Sequence, residues 1–233
     1  MGKLDRTLSF APATSQKLEE LHVRAQGSRP KRRWYLIVCE GEATEPNYFG
    51  AMRKRLYGGE GDRIVIHGAG DNTLNLVDIA KETIAQRMKS GDPPFYHVWL
   101  VFDRDSFPPD DFDNTIQLAA DEDAKFDPEN GYKPHWHSAW SNEAFELWYL
   151  YHFQEVQGGG LSREKFKKML TKRLVRPYLK NDSTMFEELL PHIDLAIVRA
   201  KRAYEKWPST TAYHDRNPAT AVYRLVADLL RYM

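Results

Sequence analysis

Residues 34–45 read WYLIVCEGEATE. Six residues suited to a buried strand stop abruptly at Glu40-Gly41. The run is apolar throughout rather than alternating, which suits a strand covered on both faces, as in a parallel sheet. Residues 98–105, VWLVFDRD, repeat the pattern and stop at Asp103 and Asp105. Ligands of open α/β sheets bind beyond the carboxyl ends of the strands. If the two strands lie side by side, three carboxylates meet there. Grouped like charges repel, and a divalent cation relieves the repulsion. Asp103 and Asp105, two apart along an extended segment, point the same way and can share one ion. Each acid alone also fits a strand-end carboxylate that caps a helix or pairs with Arg104.

Working outward, the first strand spans 34–39, and Glu40-Gly41 turns the chain, Gly41 being read as a residue free to adopt backbone angles closed to others. Thr44 as N-cap and Pro46 in the first turn predict a helix to about Leu56. RIVIH at 63–67 is a second strand, the apolar spacing over 73–89 predicts a helix, and 96–102 is a third strand. Strand, helix, strand, helix, strand implies right-handed crossovers and a mostly parallel sheet flanked by helices. After Asp105 the sequence predicts a helix over 114–125 and a strand over HWHSAW, 135–140. NEAFELWYLYHF, 142–153, reads as a helix capped by Ser141 or Asn142. It is apolar on nearly every side and hence buried, which makes Glu146 conspicuous. Further on come a glycine turn at 158–160, a helix over 183–207 with a kink at Pro191, and a last helix over 218–232. The domain division is a flexible basic arm (1–31), an α/β core (32–157), and a helical C-terminal extension packed on that core (158–233).

The 233 residues are 42% hydrophobic and 28% charged, the balance of a globular chain. With 33 basic and 33 acidic residues the formal net charge is zero, so only a local patch can attract a polyanion. One such patch is Ser162–Lys180, where a single acid, Glu164, stands among eight basic residues. Lys165, Lys167, Lys168, Lys172, Arg173 and Arg176 are the expected contacts to a nucleic-acid backbone, with Arg63 and Lys54 as supplements. A solvated helix face is the plainer reading of the same charges. A lone Cys39 gives no internal disulfide and fits a reducing cytoplasm. No apolar run approaches the roughly 18–20 residues of a membrane helix. There is no GxxxxGK[ST] loop, so the chain is not read as an ATPase by itself. His135, His137 and His152 lack zinc-like spacing and are read as structural.

LIVCEGEATE (36–45) and VWLVFDRD (98–105) resemble the topoisomerase–primase (Toprim) domain, marked by Glu-Gly after one strand and Asp-x-Asp after a later one. More narrowly, CEGEATEPNYF (39–49), VFDRDSF (101–107), SNEAFELWYLYHF (141–153) and NPATAVYRLV (217–226) resemble the RloB family. The resemblance implies a Toprim-like α/β fold and a Mg²⁺-dependent nuclease, with Mn²⁺ able to substitute, acting on DNA or on RNA such as tRNA. It further implies an effector of bacterial anti-phage defence by abortive infection, controlled by a partner ATPase of the overcoming-lysogenisation-defect type. Glu40 would be a metal ligand or general acid/base, Asp103 and Asp105 would bind the metal, and Glu146 and Glu42 would be further ligands. Glu143 departs from the family pattern, which carries proline there. The chain is expected in the cytoplasm, with no membrane partner, and self-association into a homo-oligomer is left open. Two alternatives share the same residues. One is a non-catalytic module docking on an ATPase. The other is a haloacid-dehalogenase-like phosphatase with Asp103 as nucleophile. The nuclease reading requires the acidic tips to gather around one ion rather than be locked into arginine pairs.

Overall fold

Strand β1 (Tyr35–Cys39) lies inside the sheet, between β2 (Ile64–Gly68) and β3 (His97–Asp103). The structure is a computed structural model and describes residues 33–57, 63–70, 75–105, 108–126 and 133–231; the arm expected over 1–31 lies outside the described residues. The sheet order is β2-β1-β3-β4-β5, with β4 at His135–Asn142 and β5 at Ala219–Thr220. All pairings are parallel except β4 with β5. Parallel β1 and β3, in register from Tyr35↔His97 to Cys39↔Val101, bring their carboxyl ends to one edge.

Both faces of β1 and β3 are covered, which is why 35–39 and 98–102 are apolar at every position. Tyr35, Ile37, Cys39, Trp99 and Val101 pack into one core. It is covered by α1 (Thr44–Tyr57), α4 (Glu146–Phe153), α5 (Arg163–Leu174), α6 (Met185–Leu189), α7 (Ile193–Glu205) and α8 (Val222–Leu230). Leu36, Val38, Val98, Leu100 and Phe102 form the other core with α2 (Leu76–Lys89) and α3 (Pro109–Asp123). The architecture is thus α/β with a mostly parallel five-stranded sheet, and the described residues from 33 onward group into one compact unit.

Several boundaries differ from the sequence expectation. Helix α3 begins at Pro109 rather than 114, because Pro suits the first helical position and Asp110 and Asp111 suit its positive end. The helix expected over 183–207 is broken into α6, a 3-10 turn at Leu190–His192, and α7, since Pro191 offers no amide hydrogen. Strand β4 runs two residues beyond HWHSAW, so neither Ser141 nor Asn142 caps α4. Ser141 Oγ instead meets Thr220 Oγ1 at 3.0 Å, and Asn142 Nδ2 donates to the carbonyl of His214 at 2.7 Å. The last helix starts at Val222, because Ala219–Thr220 pair with Ser141 and Asn142 as β5. Among the described residues no helix is long and apolar enough to cross a membrane.

Candidate active site

Beyond β1, the amide of Glu40 donates to Val101 O (2.9 Å), and Glu40 O accepts from the amide of Gly70 (3.0 Å). The Glu40 side chain reaches across to β3, where Oε2 accepts from the Asp103 amide at 2.9 Å. Asp103 ends β3 and is 4% exposed. The chain then turns: the Arg104 amide donates to Ser141 O and the Asp105 amide to Glu143 O, and Asp105 adopts φ +29°. Short polar side chains tolerate this left-handed region better than most. The expected extended Asp-x-Asp pair is therefore corrected to a turn, which is what aims Asp105 back toward Asp103. Glu143 contributes its carbonyl to that turn, and burial followed by the charge of Asp105 raises its own carboxyl above the usual range.

Glu146 opens α4 and is 2% exposed. Its place at the positive end of a helix suits a carboxylate. The cation that meets these acids comes from the first position of α5. Arg163 Nη2 lies 2.7 Å from Asp103 Oδ2, Nη1 2.7 Å from Asp105 Oδ2, and Nε 3.8 Å from Glu146 Oε2. The sequence counted Arg163 with the basic tract; the fold places it among the acids instead.

Glu45, in the first turn of α1, is a buried carboxyl that sequence reasoning passed over. It explains Gly41: a Cβ there would overlap a carboxylate oxygen of Glu45. Gly41 is not among the positive-φ glycines, so what distinguishes the position is the close approach of Glu45 rather than unusual backbone angles. Burial, reinforced by Glu146 and Glu40, pushes Glu45 up to about 7. Burial and then Glu45 likewise raise Asp103 well above the carboxylate range, against the pull of Arg163. Asp103 Oδ1 is buried without a hydrogen-bond partner among the described residues. A cleft of about 510 Å³ opens beside this cluster, and Glu40, Glu45, Asp105, Arg163 and Lys180 lie on its walls. Tyr178 Oη donates to Glu146 Oε1 at 3.4 Å, and Thr44 Oγ1 donates to the Lys180 carbonyl at 2.8 Å, which ties the segment after α5 over the cleft.

The family model for RloB-like protein matches residues 35–229. The chain belongs to the RloB-like family. No curated protein and no solved structure matches it.

In this RloB-like chain Glu40, Asp103, Asp105 and Glu146 share one cleft, and Glu42 sits exposed on its wall against Gly70. The six basic residues expected to bind nucleic acid do not line it. Lys165, Lys168 and Lys172 are exposed on α5. Lys167 pairs with Glu164, Arg173 Nε donates to Gln154, and Arg176 pairs with Asp182 and Glu188. Of the supplementary cations, Lys54 is exposed in the last turn of α1, and neither it nor Arg63 lines the cleft. His97 and His135 are the first residues of β3 and β4, at the sheet edge away from the acids; His97 Nδ1 meets His137 Nε2 at 3.1 Å.

The donor set has the right chemistry for Mg²⁺ or Mn²⁺, being hard carboxylate oxygens of which Asp103 Oδ1 lacks a partner. As placed, however, no three acids among the described residues are arranged to hold an ion, and Asp103 and Asp105 are in an arginine pair. The expectation of acids free to grip a common ion is corrected accordingly: they gather, with a guanidinium between them. No local pattern set Arg163 apart from the rest of the basic tract, although a cation at the first position of a helix opposes the macrodipole.

Proposed function

We propose that this RloB-like chain is a divalent-metal-dependent nuclease that hydrolyses phosphodiester bonds in DNA or RNA. The observation that carries the reading is the buried Asp103, with Oδ1 unpartnered, facing Glu40, Glu45, Asp105 and Glu146 across an open cleft. So many carboxyls at one sheet edge cost stability, and they are retained in proteins chiefly for chemistry. Asp103, Asp105 and Glu146 are the residues that would hold Mg²⁺ or Mn²⁺. Such an ion, when bound, polarises the phosphodiester and lowers the pKa of water.

The chain's own groups do the rest. Glu40 is held in place by the Asp103 amide, so its carboxylate is oriented before substrate arrives. Glu45, poised to titrate near neutral pH, can hold or release a proton beside it. Lys180 places a cation on the cleft wall where a phosphate can meet it. The exposed lysines of α5 supply further positive charge at the surface. The role in anti-phage defence and the control by a partner ATPase rest on family membership.

A second reading is favoured by one observation. The double bridge from Arg163 engages Asp103 and Asp105 without a metal, as suits a non-catalytic module that docks on an ATPase. Single- and double-stranded DNA and tRNA, incubated with Mg²⁺ or Mn²⁺ and with or without the ATPase, separate the two. Wild type is expected to cut at least one substrate, with Glu40→Gln and Asp103→Asn slower by about 100-fold or more. Absence of cutting under every condition with the ATPase present would leave the docking module standing.

A further inference from the structure

We infer that Arg163 is an exchangeable internal counterion: its guanidinium and the divalent cation compete for the same carboxylate oxygens, so the ion enters only as Arg163 swings out. This rests on the metal-dependent reading and adds how that site is kept closed. Asp103 Oδ2 and Asp105 Oδ2 each lie 2.7 Å from a guanidinium nitrogen. An Mg²⁺ ion draws its oxygen ligands to about 2.1 Å, which leaves no space for a guanidinium between the same two oxygens. Departure of Arg163 leaves Asp103 buried beside Glu40, Glu45 and Glu146, where a proton or a divalent cation takes over the compensation.

Exchange asks little of the backbone. The backbone just before α5 is pinned, since the Leu161 amide donates to Asn217 Oδ1 (3.2 Å) and Asn217 Nδ2 donates to Leu161 O (3.0 Å). Ser162 Oγ then accepts from the Lys165 amide as the N-cap. The start of the helix stays put, and exchange is a rotation of one long side chain. That side chain is 22% exposed and already borders the cleft. Its seat at the positive end of α5 weakens the hold of the acids, because the helix dipole repels a cation there.

The test is Mn²⁺ affinity, measured on the full chain by titration calorimetry and by the electron paramagnetic resonance of free Mn²⁺. Arg163→Gln is expected to bind Mn²⁺ at least about ten-fold more tightly than wild type, the size of an ordinary coupling between two sites. Equal or weaker binding in a variant that still melts cooperatively overturns the inference while leaving the nuclease reading intact. If neither protein binds Mn²⁺ at millimolar concentration, the metal-dependent reading falls as well. A second measurement needs no variant. In wild type, Mn²⁺ is expected to raise the rate at which phenylglyoxal labels Arg163 several-fold, followed by mass spectrometry. An unchanged or slower rate overturns the inference.

Discussion

Glu45 carries its carboxyl in the first turn of α1, buried at the cleft wall and crowded by Glu146 and Glu40. Its pKa is pushed from the ordinary 4.5 up to about 7, chiefly by burial. The sign of the consequence follows from proton binding. Between those two values the unfolded chain has lost the proton and the folded chain keeps it, so stability falls as pH rises. The penalty is complete above the folded pKa. Glu45→Gln removes it, and in the presence of a chelator the variant is expected to gain on the order of 2 kcal/mol at pH 8 and almost nothing at pH 4.5. Urea unfolding at the two pH values measures this, and an equal gain at both would count against a burial origin. At this scale the sequence displayed the acids but not their neighbours. Glu40, Asp103 and Asp105 were legible because each ends an apolar run. Glu45 was not, because nothing local distinguishes it from any acid at a helix start.

Helix α5 divides its labour among three surfaces. Phe166, Leu170 and Leu174 are buried in the core, Arg163 enters the cleft, and Lys165, Lys168 and Lys172 face solvent. Charge reversal of those three lysines to Glu is expected to weaken nucleic-acid binding. It should also lower the slope of log affinity against log salt by about 2 to 3, at roughly 0.7–0.9 per lost phosphate contact. Arg173→Gln should change the slope far less, because Gln154 already engages that side chain. Slopes from fluorescence anisotropy at several salt concentrations decide the matter, and an unaltered slope in the triple variant would mark the lysines as a solvated face. Most elements were readable from periodicity and capping. The exceptions have local causes, such as Pro191 dividing one helix and Pro109 starting another early.

In the molecule as a whole, the expected boundary at 157 runs through a shared core. Helix α4 is buried from Glu146 to His152, and its cover includes Phe166 and Leu170 of α5 with Ala196 and Ala200 of α7. Tyr35 Oη donates to Asp228 at 3.0 Å, and β5 completes the sheet. A chain ending at Gln157 is therefore expected to show no cooperative thermal transition, since Leu147, Trp148 and Leu150 would lose part of their cover. A sharp melt by circular dichroism would show that the fold forms without residues 158–233. The sequence by itself determined the α/β class, the strand order along the chain and the edge where the acids collect. Those follow from apolar runs and from chain polarity in a parallel sheet. Only the tertiary structure decided that a guanidinium lies among the acids, that Gly41 makes room for Glu45, and that β5 closes the sheet. Arg163 and Asp103 are 60 residues apart. Contacts of that range depend on how packed elements present their side chains, and no local pattern records it.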